Sequence, residues 1–456
     1  MRAGVARVCI TPPVGTWQAG YAARNRPSEG IYGDLFARAL VLDGGEGTPR
    51  AAIVSLDVLD LPHAVADAAR REAEERTSIP AGNIALCASH THSGPITWKS
   101  KGNEPYVAVL EKQIAGAVSV AARNLRPAEI RLGRGQTSFN INRRGPTPRG
   151  PGAPYPEGPV DHEVLALRVD AIPEGDDPDY IQANGSPLAL LFRFTCHATS
   201  GPALPKGGYN LHGDYPGAAA GFIERAYEGE TVAMFLQGCT GDVRPNLATP
   251  DNKNWRGAAY PQEVHAMGRE LGAAAIAAAE ASAFGKLPGS QPGEVAVAGK
   301  TILLPYTKPP STDALRAMLQ TGQWPDGRAL GDSDRSWAEK VLAQMEAGTL
   351  PEGRPAEIQV FRLGAFWLAT LPGEVFVEIG WAVRDAVAAT AGVSPASVVV
   401  AAYSNGSVGY VPTASAIELG GYEPTSHRMG GAPGCYVPEA QEILAGTAAE
   451  LARELV

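Results

Sequence analysis

Two histidines separated by a single residue, His90 and His92, are the side chains whose type and spacing first suggest chemistry in this sequence. They follow a short apolar run, and in an extended backbone residues i and i+2 point to the same side. Two such imidazoles can share a metal ion, or one can bind the metal while the other transfers a proton. A purely structural pair is an equally good interpretation of this tripeptide. The turn that follows, Ser93-Gly94-Pro95, favours a site, and we assign Gly94 in it to substrate binding.

Two further histidines come after later apolar or glycine-rich segments. His197 closes a predicted buried strand and is either another metal ligand or a hydrogen-bonded core residue. His212 follows a glycine-rich loop and is the fallback ligand, while Asp214 after it is a candidate N-cap for the next helix. Cys239 has no base beside it in the sequence, which disfavours a nucleophilic cysteine.

Carboxylates, an arginine and a tyrosine complete the set of candidate side chains. Asp242 and Arg244 follow Gly238 and Gly241, which would let the backbone approach a ligand closely, although an ordinary Asx-type turn explains the segment equally well. Glu374 falls in the first turn of a predicted helix, where the helix dipole favours a carboxylate, so capping is the better interpretation from the residues alone. Tyr410 lies beside a Gly/Pro turn, which is typical of packing.

The elements that must position these side chains alternate between strands and helices. Strands are predicted at 51–59, 83–88, 128–140, 163–169, 188–195, 232–236, 294–304, 358–361, 366–368 and 398–402. Helices are predicted at 62–76, 105–124, 215–227, 261–283, 311–320, 334–347, 374–389 and 438–456. The pattern predicts an α/β fold in which a mixed sheet is flanked by helices. We expect one large domain over 1–456, with a linker within it at 284–293.

Four polar clusters share one position relative to these elements, because each follows the end of a predicted strand: His90 and His92, His197, Gly241-Asp242, and Ser404-Asn405-Gly406. In open α/β sheets, sites form outside the carboxyl ends of the strands. The sequence therefore predicts that several strands deliver polar groups to one rim of the fold.

Composition narrows the class of protein. The chain has 456 residues and a net charge of −9, with 39 basic side chains scattered along it, so a nucleic-acid binder is disfavoured. Apolar runs are strand-length, far below the roughly 18 residues that span a membrane, so we expect no stable membrane insertion. The N-terminus lacks an apolar leader, which favours a cytoplasmic protein. Five cysteines without a CxxC spacing indicate reduced thiols.

Taken in order along the chain, a set of short motifs carries a family resemblance. The motifs are Gly20-Tyr21, Ser55-Leu56-Asp57, His90-Thr91-His92-Ser93-Gly94-Pro95, Asn142-Arg143, Cys196-His197-Ala198-Thr199-Ser200, Gly241-Asp242-Val243-Arg244-Pro245-Asn246, Pro372-Gly373-Glu374, Tyr410-Val411-Pro412-Thr413 and Gly421-Tyr422-Glu423. Together they resemble the catalytic domain of neutral/alkaline (non-lysosomal) ceramidases over nearly the whole chain. The ordered set is more specific than any single motif.

The resemblance implies one catalytic Zn²⁺ ion held by two histidines, a glutamate and a tyrosine. The corresponding ligands in this chain are His90, His197, Glu374 and Tyr410. Zinc accepts imidazole nitrogen and anionic oxygen, and it lowers the pKa of a bound water toward about 7. The resemblance also implies that His92 is the acid/base, and that Arg143 and Tyr422 flank the scissile carbonyl as an oxyanion-stabilising pair.

Two departures from the family pattern bear on the substrate. Where the family has a serine important to catalysis, this chain has Arg244, which offers a bidentate partner to a carboxylate or phosphate. Arg244 either pairs with Asp242 and stabilises its own loop, or it binds substrate. We assign both Arg244 and Asp242 to substrate binding. Family members also carry a further C-terminal β-sandwich domain and are usually exported, whereas this chain ends at Val456.

We therefore expect a zinc-dependent hydrolase that cleaves an amide, ester or lactone bond of a polar or anionic small molecule. One alternative is a genuine amidase of ceramide or another N-acyl lipid. A second is a non-catalytic binding protein on the same scaffold, favoured by the missing serine. A third is an acyl transferase that uses an amine acceptor in place of water.

Overall fold

The computed structural model describes residues 1–148, 150–172, 185–201, 208–258, 261–284 and 295–456. Its strands are β1 (Arg2–Cys9), β2 (Gly30–Ile31), β3 (Phe36–Asp43), β4 (Ala51–Leu56), β5 (Ile84–Ala88), β6 (Arg126–Gln136), β7 (Asn140–Gly145), β8 (Ala153–Tyr155), β9 (Glu163–Ala171), β10 (Ala189–Phe194), β11 (Asn210–Leu211), β12 (Val232–Gln237), β13 (Val243–Pro245), β14 (Val295–Pro305), β15 (Gly353–Leu363), β16 (Phe366–Thr370), β17 (Glu374–Val375), β18 (Val398–Ala401) and β19 (Tyr410–Val411). Its α-helices are α1 (His63–Thr77), α2 (Glu104–Arg123), α3 (Asp214–Ala226), α4 (Gln262–Phe284), α5 (Thr312–Thr321), α6 (Asp332–Glu346), α7 (Val377–Ala391), α8 (Ala414–Leu419), α9 (Tyr422–Thr425) and α10 (Ala440–Glu454).

Local sequence patterns explain the central elements. Every residue of β4 is buried, as expected for an unbroken apolar run inside a sheet that is covered on both faces. In α2 the apolar residues Val107, Leu110, Ile114 and Val118 recur at helical spacing and are all buried. Burying each such side chain contributes about 1.5–3 kcal/mol relative to exposure. The period of the apolar residues thus fixes both the type of each element and the face that it buries.

The main sheet contains eight strands in the order β12-β10-β9-β6-β1-β3-β4-β5. The pairs β4–β5 and β10–β12 are parallel, with α1 and α3 as their respective crossovers, and the other pairs are antiparallel. A second sheet has the order β14-β15-β16-β18, and α7 and α10 pack against it. The predicted α/β class, with a mixed sheet flanked by helices, is confirmed.

An apolar cluster lies between the two sheets. It contains Leu40, Ile53 and Leu191 from the main sheet together with Phe361 and Val399 from the second sheet. All five side chains are buried, so the sheets share one interior. This packing brings residues from the second half of the chain against the N-terminal half.

The carboxyl ends of three strands meet at one rim. The amide of Ala88, at the end of β5, donates to the carbonyl of Tyr403 at 3.0 Å. The amide of Ala402, after β18, donates to the carbonyl of Gln237 at the end of β12, at 2.8 Å. These bonds link strands from both sheets, and the polar segments that follow the strands are thereby held together.

The structure corrects several predicted boundaries. The antiparallel strands β1 and β3 were absent from the sequence prediction. The helix predicted at 374–389 begins at Val377, so Glu374 lies in β17 and does not cap a helix. The N-cap of α3 is Gly213, and Asp214 is its first residue. Beyond Phe284, which ends α4, the predicted linker lies outside the described residues.

Covalent crosslinks and bilayer-spanning segments are absent from the part of the chain that the structure describes. All five cysteines are free thiols, as predicted. No described helix combines the length and the hydrophobicity that crossing a bilayer requires.

Candidate active site

Three side-chain atoms converge at the rim where the strands end. The Nε2 atoms of His90 and His197 are 3.0 Å apart, and Oε2 of Glu374 lies 3.4 Å from the first and 3.5 Å from the second. A tetrahedral zinc site with bonds of about 2.1 Å separates its ligand atoms by about 3.4 Å. Oε2 of Glu374 is buried and has no hydrogen-bond partner among the described residues. The spacing and the unused lone pairs both suit a metal ion.

Backbone carbonyls fix the tautomers of the two histidines. Nδ1 of His90 lies 2.8 Å from the carbonyl oxygen of Leu59, and Nδ1 of His197 lies 3.2 Å from that of Thr240. A carbonyl only accepts, so each Nδ1 carries the proton and each Nε2 presents a lone pair. Burial also lowers the pKa of His197 well below its usual value, which keeps the ring neutral. Two lone pairs facing each other at this distance repel unless a cation lies between them.

Backbone strain marks the same place. His90 has a φ of 60°, in the left-handed region that a non-glycine residue occupies at a cost of about 1–3 kcal/mol. The ring of Tyr403, a residue that also has a positive φ, packs 4.2 Å from that of His90. The Tyr403 hydroxyl lies 2.6 Å from Oγ1 of Thr240, whose carbonyl orients His197. Tyr403 is therefore a positioning residue for both histidines. It was not predicted, although it directly precedes the polar segment noted after β18.

His92 completes a group of three histidines. Its Nε2 is 3.3 Å from Nε2 of His90, and the ring nitrogens of His90, His92 and His197 lie within 4.8 Å of one another. Burial, followed by the neighbouring His90, lowers the pKa of His92 well below its usual value. The three histidines together could hold a metal ion. Equally, His92 is close enough to transfer a proton beside a metal held by the other two.

Gly20 packs closely against His92, and this contact predicts the effect of a substitution at Gly20. A Cβ added at Gly20 would lie 2.6–2.7 Å from atoms of His92. We expect Gly20→Ala to displace His92 and to lower the free energy of unfolding by about 1–3 kcal/mol beyond backbone strain. Gly15→Ala is the matched control, since Gly15 has a φ of 96° against 97° for Gly20 and its added Cβ would meet nothing within 4 Å. Equal destabilisation of the two variants in chemical denaturation would contradict this contact.

Tyr410 lies next to Glu374. The two residues are direct register partners of the short parallel strands β17 and β19. A guanidinium NH₂ group of Arg143 donates to the Tyr410 hydroxyl at 3.0 Å and to the carbonyl of Gly241 at 2.7 Å. Burial raises the pKa of Tyr410 well above its usual value, and Arg143 opposes that shift. The phenol oxygen is thus held beside the glutamate by an arginine.

Arg143 and Tyr422 both contact Tyr410. Nε of Arg143 is 2.9 Å from Oε1 of Glu423, which also pairs with Arg144. The side chain of Tyr422 is half exposed, and its ring centre lies 5.6 Å from that of Tyr410. The structure therefore brings both predicted oxyanion residues to the proposed ligands. Glu423, which the motif analysis included without a role, holds the arginine in place.

The residues assigned to substrate binding lie in different environments. The Asp242 carboxylate accepts hydrogen bonds from Nδ2 of Asn142 at 2.9 Å and from the amide of Val377 at 3.0 Å. Among the described residues, Asp242 and Arg244 form no ion pair with each other, so the alternative in which Asp242 braces Arg244 is wrong. Gly94 accepts from the amide of Ala19 at 3.0 Å in the turn after the histidines. Arg244 instead stacks on a tryptophan ring, as described below.

Two other candidates are separated from the histidine group. Nδ1 of His212 accepts from the amide of Asp214 at 3.0 Å, and burial lowers the pKa of His212 to about 3. Among the described residues, the group whose atoms can share a metal contains His92 and does not contain His212. Cys239 is buried, and burial raises the pKa of its thiol to about 12, which argues against a nucleophile.

A model of the N-terminal part of neutral/alkaline non-lysosomal ceramidases matches residues 1–263. The chain belongs to this family. The resemblance inferred from the ordered motifs is thus confirmed. The match covers the elements that carry His90, His92, Arg143, His197 and Arg244.

Individual ceramidases are distant relatives of this chain. The neutral ceramidase of Mycobacterium tuberculosis is 25% identical over 457 residues, which covers 86% of this chain and 68% of that protein. The neutral ceramidase of Drosophila pseudoobscura is 27% identical over 278 residues, covering 55% of this chain and 36% of that protein. The crystal structure of neutral ceramidase from Pseudomonas aeruginosa superposes with a TM-score of 0.74 at 21% identity, covering 100% of this chain and 74% of that chain. The structural likeness establishes a shared fold.

Proposed function

We propose that this protein is a zinc-dependent hydrolase that cleaves an amide bond of a small molecule. The proposed ligands are His90, His197, Glu374 and Tyr410. The observation that carries the proposal is the convergence of two imidazole Nε2 atoms and an unpartnered carboxylate oxygen within 3.5 Å. Imidazole nitrogen and carboxylate or phenolate oxygen are ligands that zinc accepts in tetrahedral sites.

Bound zinc would act as a Lewis acid on the carbonyl and lower the pKa of water. His92 would take a proton from the attacking water and return it to the leaving amine as the C–N bond breaks. The Arg143 guanidinium and the Tyr422 hydroxyl would donate to the carbonyl oxygen as it gains negative charge. The carbonyls of Leu59 and Thr240 orient the metal-binding rings, as outer-shell partners commonly do. The products are a carboxylic acid and an amine.

A second substrate class has support from the comparisons. The named relatives are neutral ceramidases, so cleavage of ceramide or of another N-acyl lipid is the alternative. Ester and lactone bonds react by the same steps and belong in the same assay. A binding protein without catalysis is opposed by the presence of His92, because binding alone requires no proton-transfer group beside a metal.

Metal removal tests the proposal directly. We expect protein purified without chelator to contain about one zinc ion per chain and to hydrolyse at least one amide, ester or lactone in a broad panel. Dialysis against a chelator should abolish turnover, and added Zn²⁺ should restore it. Zinc content near zero that added zinc does not change would contradict the metal site. Full zinc content without turnover of any substrate would instead favour the binding protein.

A further inference from the structure

A cavity of about 420 Å³ opens beside the proposed metal centre. Its lining includes Tyr21, Thr199, Arg244 and Tyr422. The ring of Tyr21 lies 5.1 Å from that of His92, while Tyr422 contacts Tyr410. A molecule in this cavity would therefore contact Tyr21 and Tyr422, whose rings in turn contact His92 and Tyr410. The volume is at the small end of the roughly 300–1,000 Å³ of typical small-molecule sites.

Arg244 carries a positive charge that the described part of the protein does not neutralise. Its guanidinium carbon lies 4.3 Å from the ring centre of Trp255. Its Nε is buried and has no hydrogen-bond partner, and no described carboxylate forms an ion pair with it. Burial lowers the pKa of Arg244, and the nearby charge of Arg143 lowers it further. An unpaired charge in a partly desolvated site is costly, so a ligand that supplies the counter-charge would be bound strongly.

The charged groups near Arg244 already have partners within the protein, so Arg244 is the group available to bind an anion. Both carboxylate oxygens of Asp242 are occupied, as described above. Arg256, which also lines the cavity, forms a two-pronged ion pair with Glu263 at 2.8 and 2.9 Å. Arg143 is held by Glu423. One uncommitted guanidinium matches one singly charged carboxylate, which its planar fork binds through two hydrogen bonds, better than it matches a doubly charged phosphate.

We propose that this cavity binds a carboxylate of the substrate through Arg244, and that the substrate is a small amide bearing one carboxylate. N-acyl amino acids are the simplest members of this class. The inference rests on the proposed hydrolase function and specifies its substrate. It also explains how a site with the family's metal-binding residues would be directed away from a neutral lipid.

Matched substrates test this assignment. Zinc-loaded protein is assayed for butanoate release from N-butanoylglycine, from the neutral N-propylbutanamide of similar size, and from N-butanoyl aminomethylphosphonate. We expect the carboxylate to be preferred. In Arg244→Gln, KM for N-butanoylglycine should rise about 10- to 100-fold, the loss expected for a charge-assisted hydrogen bond, with zinc content unchanged. Arg244→Lys should give an intermediate KM, because it keeps the charge and loses the fork.

Arg328→Gln is the control variant, since Arg328 also lies over a tryptophan, Trp324, on an exposed part of the chain and should leave KM unchanged. Three results would overturn the carboxylate assignment while leaving the hydrolase proposal intact. They are equal zinc-dependent cleavage of the neutral amide, a preference for the phosphonate, and efficient cleavage of ceramide.

Calorimetric titration with N-butanoylglycine gives a readout without turnover. Binding that Arg244→Gln weakens at least 10-fold, without hydrolysis of any amide, would support the carboxylate site and contradict the hydrolase. Binding unaffected by that substitution would contradict the site.

Discussion

Substituting His197 by alanine is expected to leave the protein without its metal ion and without hydrolytic activity. His197 supplies one of the two lone pairs that face each other at 3.0 Å, and its ring is fully buried, so no water or neighbouring side chain replaces it easily. The loss of metal affinity should exceed the roughly 10- to 100-fold that removal of an outer-shell partner costs. Zinc content by elemental analysis, and turnover of whichever substrate the panel identifies, measure both effects.

His212→Ala is the control for this prediction. Like His197, His212 is buried and lies between β10 and α3, but it lies outside the group whose atoms can share a metal. Its substitution should leave zinc content near one per chain. Retention of zinc by His197→Ala together with loss by His212→Ala would contradict the proposed ligand set and restore His212 as a ligand.

Substituting His92 by alanine is expected to lower kcat by about 10²–10⁴, the usual contribution of a general acid/base, while zinc remains bound. The separation of these two effects is what distinguishes a proton-transfer role from metal ligation. The structure places Nε2 of His92 3.3 Å from Nε2 of His90, a distance that suits either role. Metal content and kcat must therefore be measured on the same preparation.

Tyr410→Phe provides the complementary test. If Tyr410 is the fourth ligand, its variant should lose zinc to a competing chelator faster than His92→Ala does. The opposite order, with zinc lost from His92→Ala and retained by Tyr410→Phe, would mean that three histidines and Glu374 hold the metal. The general acid/base would then have to be another residue.

Much of the fold follows from local sequence patterns. The apolar periodicity located β4, β5, β10 and β12 within a few residues, because buried strands and amphipathic helices carry their own signals. Glu374, which directly follows Pro372-Gly373, was predicted to lie in the first turn of a helix. The helix starts three residues later, since Glu374 pairs with Tyr410 in a two-residue ladder formed by distant segments. Such ladders leave no local pattern.

The sequence by itself determined which residue types follow the strand ends, and with them the family and the candidate ligands. Only the tertiary structure decided how these side chains meet. His90 and His197 are separated by 107 positions, and their tautomers depend on carbonyls supplied by other loops. The pairing of Asp242 with Arg244, plausible from their spacing, does not form, and the Asp242 carboxylate instead accepts from Asn142 and from the amide of Val377 at the start of α7. Contacts between segments far apart in the chain are set by packing of the two sheets, which no local periodicity encodes.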